Sequence, residues 1–499
     1  MNNILLPDHD SLALQLKTWQ TVHPELAGMM ASGTPAHAAI SQAGWKMLKL
    51  NNPREAVKLF QAATALNPGD AASWLNLGNA FEKAGNLAEA AKSLGQCLAL
   101  DSKNPTAWVL LGMVQARQGD KTTGETSYRN ALAADPGCLA AWQCLGLSKQ
   151  EQKQLPEAIE CFKQCAALDP KNPAAPALLG RLSFETGKVE DASAYYREAS
   201  AMDPANPAHH RMTARMDRLT QIIHGADPET VANAGAGNPD PAPVQEQLED
   251  AFHYFNGFGY RDAALRTGEA FLRLHPGHAV MSYHMAALKG DGNVTQSPEA
   301  YLVETFGNFA DRFDAQLVEL LDYDVPRKMV KAIQEFAAKQ TYDRVLDAGC
   351  GTGLCGKALR PVCKHLTGVD ISRQMLEQAS LKKVYDQLVC GEIVSQMNHH
   401  PDEYDLITAA DVLIYLGDLE KVFKAAAHSL KSQGVFAFSI EASDQPGFKL
   451  LSSGRFAHHP SYVLEKSMPA FEKLACLPIT VRKEAHQPLA GFILVLQKS

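Results

Sequence analysis

A strict 34-residue period in the N-terminal part of this 499-residue chain constrains the fold more than any other feature. Glycine, tryptophan, alanine, aromatic and proline positions all recur at this step, with Leu94, Ser102 and Gly124 as variants. The columns are Gly44, Gly78, Gly112, Gly146 and Gly180; Trp74, Trp108 and Trp142; Ala56, Ala90, Ala158 and Ala192; Phe60, Tyr128, Phe162 and Tyr196; and Pro68, Pro136, Pro170 and Pro204. Such a period predicts identical supersecondary units that bury their apolar faces by stacking on one another.

This period, with Trp-x2-Leu-Gly followed by Ala, an aromatic residue and Pro, resembles the tetratricopeptide repeat. Five units fit residues 37–206 without an insertion. The Gly and Ala columns let the two helices of a unit approach closely, the aromatic residue fills the next gap, and Pro ends the second helix. We expect the Trp and aromatic columns to be core, and the stack to form a concave groove that receives a protein or peptide.

The segments on either side of the array are predicted separately. We expect a helical cap over residues 1–36 and a capping helix over 207–225. Residues 226–244, rich in Pro, Gly, Asn and Asp, predict an exposed linker. Residues 245–290 regain a helical pattern, and Ala264 and Pro276 keep the spacing of the Ala and Pro columns, which predicts a degenerate sixth unit. This unit is expected to favour docking of the array on its own C-terminal domain.

The run VLDAGCGTG at residues 345–353 carries most of the functional information. Val345 and Leu346 end an apolar strand, and Asp347 places a carboxylate at its tip. The glycines that follow allow a tight turn and close approach to a ligand, where a Cβ would interfere. Open α/β sheets bind their ligands at the carboxyl ends of strands.

Gly351, Gly353 and Gly356 also spell the dinucleotide pattern G-x-G-x-x-G, which would indicate a hydride-transferring oxidoreductase. Asp347 precedes all these glycines, and a carboxylate there repels a pyrophosphate and attracts an ammonium group. The run instead resembles motif I of the class I S-adenosylmethionine-dependent methyltransferases. The resemblance implies that S-adenosylmethionine is the cofactor, bound by Asp347, Gly349, Cys350, Gly351 and Gly353.

The downstream spacing agrees with that family. HLTGVDIS (365–372) predicts a second strand ending in Asp370, which is placed to accept the ribose hydroxyls. The resemblance puts Ile371 and Glu392 beside the adenine, and Asp411, after the strand in 403–416, beside the methyl group and substrate. Residues 291–499 are therefore expected to form a Rossmann-like α/β domain with a seven-stranded, mostly parallel sheet, closed by an antiparallel strand over 491–499. The fold class is thus multidomain, an all-α tetratricopeptide solenoid followed by this domain.

A helical lid is predicted ahead of motif I. Residues 297–329 carry the aromatic side chains Tyr301, Phe306, Phe309, Phe313 and Tyr323. In many methyltransferases of this class, aromatic N-terminal helices fold over the cofactor and exclude water; plain helix packing is the alternative. The whole arrangement resembles a bacterial family of tetratricopeptide-containing predicted methyltransferases.

The acceptor side is expected in residues 453–463, because insertions between the last strands commonly form the acceptor pocket in this fold. Arg455 is placed to clamp an anionic acceptor, and His458 to act as a base, since imidazole titrates near neutrality. Tyr462 and His459 are secondary candidates. Such a base is needed only when the acceptor is protonated. A solvated loop with a capping histidine is the alternative reading of this segment.

The composition of the chain disfavours several classes of function. A net charge of −8 and a pI near 6.1 disfavour general nucleic-acid binding. Ten cysteines without paired spacing indicate reduced thiols in a cytoplasm and give no structural zinc pattern, so no metal is expected. No apolar run is long enough to suggest a membrane span.

Two hypotheses follow. In the first, the chain is an active methyltransferase that acts on a small-molecule or glycan oxygen or on a protein side chain, with the array recruiting a protein. In the second, it is a non-catalytic scaffold that binds S-adenosylmethionine and acts through the groove. The intact acids Asp347, Asp370, Glu392 and Asp411 favour the first, and self-association stays open in both.

Overall fold

The computed structural model describes residues 21, 24–234, 242–307, 310, 314, 323–484 and 487–499. The chain divides into two compact units, Met1–His224 and Gly225–Ser499. The first unit ends at His224, one residue before the end of the capping helix predicted over 207–225. No helix in these ranges has the length and apolarity that a membrane crossing requires.

The first unit is a stack of helix pairs. Its helices are Pro24–Ala31, Ala36–Lys49, Pro53–Leu66, Ala71–Lys83, Leu87–Leu100, Pro105–Arg117, Lys121–Ala134, Leu139–Glu151, Leu155–Leu168, Ala174–Glu185, Val189–Met202 and Pro207–Ile223. Five helix pairs lie within residues 36–202, where the sequence predicts five units, and the helix Pro207–Ile223 lies where it predicts a capping helix. Of the N-terminal cap predicted over 1–36, residues 1–20 lie outside the described residues.

The repeat columns meet as the sequence reasoning expected. In each pair the glycine of the first helix lies against the large residue of the second, so that a Cβ on Gly44 would lie 2.7 Å from Phe60. Trp74 is buried, whereas Trp108 and Trp142 are half-buried. Each of the three indoles donates its N–H to a backbone carbonyl six residues earlier, at 2.9–3.0 Å. In these three units the tryptophan therefore also links its helix to the preceding turn by a hydrogen bond.

A buried ion cluster joins the third and fourth repeats. The side chain of Glu125 is only 7% exposed and lies 2.8 Å from Lys149 Nζ, and it accepts hydrogen bonds from Ser148 and Gln152. Burial alone would raise the pKa of Glu125, but the bonds from Lys149, Gln152 and Ser148 outweigh burial and lower it. A lowered native pKa means that this carboxylate stabilises the fold above the ordinary glutamate pKa.

We expect Glu125→Gln to destabilise the array by about 2 kcal/mol at pH 7, because a charged hydrogen-bond acceptor is lost from a buried site. The difference from wild type should shrink as pH falls below about 4.3, where the unfolded carboxyl becomes protonated. Urea unfolding followed by circular dichroism at pH 7 and pH 4 measures both values. Glu160→Gln is the control, since that side chain is 68% exposed and forms only a surface pair with Lys163. A constant difference at both pH values would refute the charge argument.

The described residues at the start of the second unit form the helices Pro228–Ala234, Val244–Gly257, Arg261–Leu274 and Ala279–Lys289. The prediction of a linker over 226–244 is wrong for Pro228–Ala234, which buries Pro228, Val231 and Ala232. Asp227 caps this helix by accepting the Thr230 N–H at 2.8 Å, a capping signal present in the sequence. Residues 235–241 of the predicted linker lie outside the described residues.

Among the described residues, nine strands form one sheet. They are β1 (Tyr342–Ala348), β2 (Cys363–Asp370), β3 (Gln387–Cys390), β4 (Tyr404–Ala409), β5 (Leu430–Ala442), β6 (Phe448–Leu450), β7 (Phe456–His458), β8 (Phe471–Glu484) and β9 (Gln487–Lys498). The order is β3-β2-β1-β4-β5-β7-β6, and β9 pairs antiparallel with both β5 and β8. Strands β1 to β5 run parallel to one another, which confirms the mostly parallel Rossmann-like sheet.

The strand count differs from the predicted seven because the insertion after β5 forms the small hairpin β6–β7. The sequence reasoning also missed β8, in which Pro478 disfavours a strand. Among the described strands, β8 pairs with β9 alone and so lies at an edge, where a missing N–H is tolerated. The helices around the sheet are Glu299–Gly307, Val325–Phe336, Leu354–Leu359, Arg373–Leu381, Ile393–Asn398, Glu420–Ser429 and Pro460–Ser467.

Candidate active site

A cavity of about 750 Å³ lies at the carboxyl ends of β1, β2 and β4. Strands β2 and β4 lie on opposite sides of β1, so the order of the strands reverses there. The cavity is therefore at the switch point where doubly wound sheets bind ligands. Residues of motif I, the β2 and β4 tips, the lid helix Glu299–Gly307 and the β6–β7 region all line it.

The glycine turn after β1 forms one wall. Gly349, Gly351 and Gly353 all have positive φ, at 72°, 51° and 90°, a region that glycine adopts without the steric cost of a Cβ. A Cβ on Gly349 would lie 2.3 Å from Val412 Cγ2, whereas one on Gly351 would meet no atom within 4 Å. Gly349, Cys350 and Gly351 line the cavity, so the backbone there is open to a ligand that a side chain would exclude.

Asp370, at the tip of β2, lines the cavity and holds the glycine turn. Its Oδ2 accepts the N–H of Gly351 at 2.8 Å, and its Oδ1 accepts the N–H of Ser372 at 2.9 Å. Burial raises the pKa of Asp370, while these backbone bonds oppose the rise. The carboxylate has unshared lone pairs left for ligand hydroxyls.

Asp347 does not line the cavity, contrary to the expectation that it meets the ligand's ammonium group directly. It is fully buried, and its carboxylate accepts hydrogen bonds from Tyr385 Oη at 2.7 Å and Thr408 Oγ1 at 3.1 Å. Burial raises its pKa to about 6. Asp347 therefore contacts buried protein groups and not the cavity, whose lining carboxylates include Asp370, Glu392 and Asp411.

The third strand ends at Cys390, and the chain then turns into the helix Ile393–Asn398. Glu392 caps this helix, accepting the N–H groups of Val394 at 2.9 Å and Ser395 at 2.7 Å. It also lines the cavity beside Ile371, Ile393 and Val394. The predicted adenine-side residues Ile371 and Glu392 thus lie on one largely apolar wall.

Asp411 lies at the opposite end of the cavity, after β4, in a left-handed conformation with φ of 56°. Ser439 holds it, accepting the Asp411 N–H and donating to Oδ1, both at 2.8 Å. Arg482 lies 3.2 Å from Oδ2. Burial raises the pKa of Asp411, although Arg482 and Ser439 act in the other direction.

Arg455 lines the cavity, and its Nε lies 2.9 Å from the buried carboxylate of Glu441. Arg482 also pairs with Glu441, so that Arg455, Glu441, Arg482 and Asp411 form one chain of alternating charges. Glu441 and Arg482 were missed by the sequence reasoning, since Arg482 lies on the unpredicted strand β8. The signal available in the sequence was Arg482 itself, a basic residue that directly follows the mostly apolar run 474–481.

His458 is a correction to the predicted catalytic set. The side chain is fully buried, does not line the cavity, and places Nε2 2.8 Å from the Leu416 carbonyl. Burial lowers its pKa to about 4, so it is a poor base at neutral pH. Tyr462 stacks on it and bonds the Gly417 carbonyl, outside the cavity. His459 caps the helix Pro460–Ser467, as the capping alternative expected.

The lid residues divide into two groups. Phe306 and Tyr323 line the cavity, and Phe306 meets Tyr415 edge-on with ring centroids 5.5 Å apart. Tyr301 instead packs against Tyr283, away from the cavity. Phe309 and Phe313 lie outside the described residues.

Known proteins resemble the two parts of the chain separately. Residues 321–478 match a family model described as a methyltransferase domain, and 43–96, 79–137 and 150–216 match tetratricopeptide-repeat models. The curated relatives include ubiquinone biosynthesis O-methyltransferases of Idiomarina loihiensis, 32% identical over 19% of this chain and 41% of that protein, and of Proteus mirabilis, 27% identical over 25% and 53%. The chain spans about half the length of the curated relatives it matches.

Among solved structures, the N-methyltransferase NodS of Bradyrhizobium japonicum, in complex with S-adenosyl-L-homocysteine, is 17% identical, with 40% of this chain and 98% of that chain covered and a TM-score of 0.33. MamA is 20% identical, with 32% and 94% covered and a TM-score of 0.30. Because these scores are low, the assignment rests on the family models and the residues of the site. The chain therefore carries a class I S-adenosylmethionine-dependent methyltransferase domain behind an array of tetratricopeptide repeats.

Proposed function

We propose that the protein transfers the methyl group of S-adenosylmethionine to a hydroxyl oxygen of a small molecule. The observation that carries this proposal is a single cavity with the glycine turn and Asp370 at one end and Asp411 among aromatic side chains at the other. Oxygen as the acceptor atom is supported by the curated relatives, which are O-methyltransferases. A cavity walled by Phe306, Tyr323 and Tyr415 favours a small apolar or aromatic acceptor over a folded protein surface.

The cofactor half of the cavity suits this donor. Asp370 would accept the ribose hydroxyls, Ile371 and Val394 would pack on the adenine, and the backbone after Gly349 would meet the amino-acid end. When bound, S-adenosylmethionine supplies a methyl group on a sulfonium, which is already a good leaving group. The protein therefore mainly has to align the acceptor and remove its proton.

Asp411 is the group proposed to take that proton. It lines the cavity, Ser439 and Arg482 hold its orientation, and burial raises its pKa, which makes the carboxylate a stronger base. The acceptor oxygen would form its bond to the methyl carbon as the carbon–sulfur bond breaks, and the hydroxyl proton would pass to the carboxylate.

We expect Asp411→Asn to lower methyl transfer about 100-fold, the usual contribution of a positioned base. The affinity for S-adenosylhomocysteine should change by less than about threefold, because Asp370 and the glycine turn are untouched. Labelled methyl transfer to 3,4-dihydroxybenzoate and to a set of simple phenols provides the assay, with calorimetry for the cofactor. Asp418→Asn, another cavity carboxylate, is the matched control and should retain activity.

Equal activities of wild type and Asp411→Asn would contradict the assignment of the base. Cofactor binding by wild type without transfer to these probes or to any component of a cell extract would favour the scaffold alternative.

We further propose that the groove of the array receives a protein or peptide partner. The stacked helices of Met1–His224 and the tetratricopeptide matches support this role. A reducing cytoplasm as the location is supported by ten free cysteines.

A further inference from the structure

The degenerate sixth repeat differs from the other five in one reciprocal exchange. Phe252 stands where the repeat period places glycine, and Gly268 stands where it places the large residue. A Cβ on Gly268 would lie 2.2 Å from Met285 Sδ and 3.2 Å from Phe252. The exchange therefore lets the third helix, Ala279–Lys289, pack directly against the second.

This third helix contacts the catalytic domain. Val280, Tyr283 and Ala287 are buried in one cluster with Tyr301, Leu450 and Phe456. The last two belong to the β6–β7 hairpin, whose turn carries Arg455 to the cavity. The repeat-derived helices and the hairpin thus share one small core.

The hydroxyl of Tyr283 joins two walls of the cavity. It donates to the Gly454 carbonyl at 2.8 Å and lies 2.6 Å from Ser297 Oγ. Gly454 precedes Arg455, and Ser297 itself lines the cavity. Burial raises the pKa of Tyr283 to about 12, so the phenol remains a hydrogen-bond donor throughout the neutral range.

The segment around Ser297 is also tied to the loop after β4. Ser297 N–H donates to the Tyr415 carbonyl at 2.9 Å, and the N–H groups of Gly417 and Asp418 donate to the Thr295 carbonyl at 2.7 and 3.0 Å. Gln296 and Leu416 form a β-bridge, and both line the cavity. The wall beside Asp411 is therefore built partly by the chain that leaves the sixth repeat.

We propose that the helices 244–289 are a built-in part of the acceptor site and that Tyr283 is a positioning residue for it. Through Gly454 and Ser297, Tyr283 sets the separation of the Arg455 hairpin from segment 295–299, and so the width of the acceptor end. The acceptor class is the small hydroxyl compound of the proposed function, on which this role rests. The catalytic domain accordingly begins near residue 244, ahead of the region matched by the methyltransferase model.

The test uses the full chain with Tyr283→Phe. Hydrogen exchange in segments 295–299 and 448–458 should become at least about threefold faster, while exchange in 347–353 stays unchanged. With 3,4-dihydroxybenzoate, or the best phenol that wild type methylates, the acceptor KM should rise about fivefold or more. The KM for S-adenosylmethionine should stay within about twofold.

Tyr342→Phe is the control, because that buried tyrosine in β1 has no hydrogen-bond partner for its hydroxyl among the described residues. Ser297→Ala removes the second bond and should accelerate exchange in the same segments, which guards against a folding defect particular to one variant. Unchanged exchange in both segments, or equal changes in KM for acceptor and cofactor, would overturn the role of Tyr283. If wild type methylates no probe, the proposed function fails while the exchange experiment still decides this inference.

Discussion

Asp370→Ala should weaken the binding of S-adenosylhomocysteine by about 100-fold or more, a loss measurable by calorimetry. The substitution leaves the N–H groups of Gly351 and Ser372 without their acceptor and removes the carboxylate proposed for the ribose hydroxyls. Each buried donor left unpaired costs about 1–3 kcal/mol, and 1.4 kcal/mol corresponds to a factor of ten in affinity. The glycine turn also loses the side chain that holds it open.

Asp386→Ala is the matched control for this result. Asp386 also accepts a backbone N–H, that of Leu366 at 2.7 Å, and pairs with Arg360, but it does not line the cavity. Its loss should lower stability while leaving cofactor affinity within about twofold. Equal losses of affinity in the two variants would show that the effect is general destabilisation and would remove Asp370 from the proposed cofactor site.

Gly112→Ala should destabilise the repeat array by about 3 kcal/mol, although it adds one methyl group. In this unit Gly124 replaces the usual alanine, so the helices Pro105–Arg117 and Lys121–Ala134 meet backbone to backbone. A Cβ on Gly112 would lie 2.5 Å from Tyr128 and 2.8 Å from the Gly124 carbonyl. The ring can turn aside, but the carbonyl moves only if the helices separate, and overpacking of this kind costs about 1–3 kcal/mol or more.

Gly95→Ala isolates the effect of packing from that of helix propensity. Gly95 lies in the helix Leu87–Leu100, and a Cβ there would meet no atom within 4 Å. Alanine should therefore stabilise the array by about 0.5–1 kcal/mol at this position. Urea unfolding of both variants measures the contrast, and a stabilising Gly112→Ala would show that the repeat helices do not approach as closely as the structure indicates.

The repeat array could be predicted almost completely from the sequence because its contacts are local. Each glycine meets a side chain 16 residues later in the same unit, so one period read along the chain specifies both partners. In the sixth unit the same 16-residue spacing holds with the two residues exchanged. Phe252 takes the glycine position and Gly268 the position of the large residue, which the aligned columns show. The helix Pro228–Ala234 was missed because the surrounding Pro, Gly and Asn residues outweighed the short capping signal at Asp227.

For the methyltransferase site, the sequence was enough to predict which residues lie at the ends of the strands. The tips of β1, β2 and β4 bring motif I, Asp370 and Asp411 to one edge of the sheet, as parallel strand order requires. The sequence determined these positions because a strand's end and the residue that follows it are neighbours in the chain.

Only the tertiary structure decided where each side chain points and which distant groups it meets. Asp347 binds Tyr385 and Thr408, which are 38 and 61 residues away, and so leaves the cavity to Asp370. Asp411 meets Arg482 across 71 residues through an edge strand that the sequence did not indicate. His458 carries an imidazole, which suits a catalytic base. The pairing of β7 with β5 instead buries this side chain against the carbonyls of Leu416 and Gly417. Such partners depend on the pairing of strands distant in sequence, and on the desolvation that pairing imposes, which no local pattern encodes.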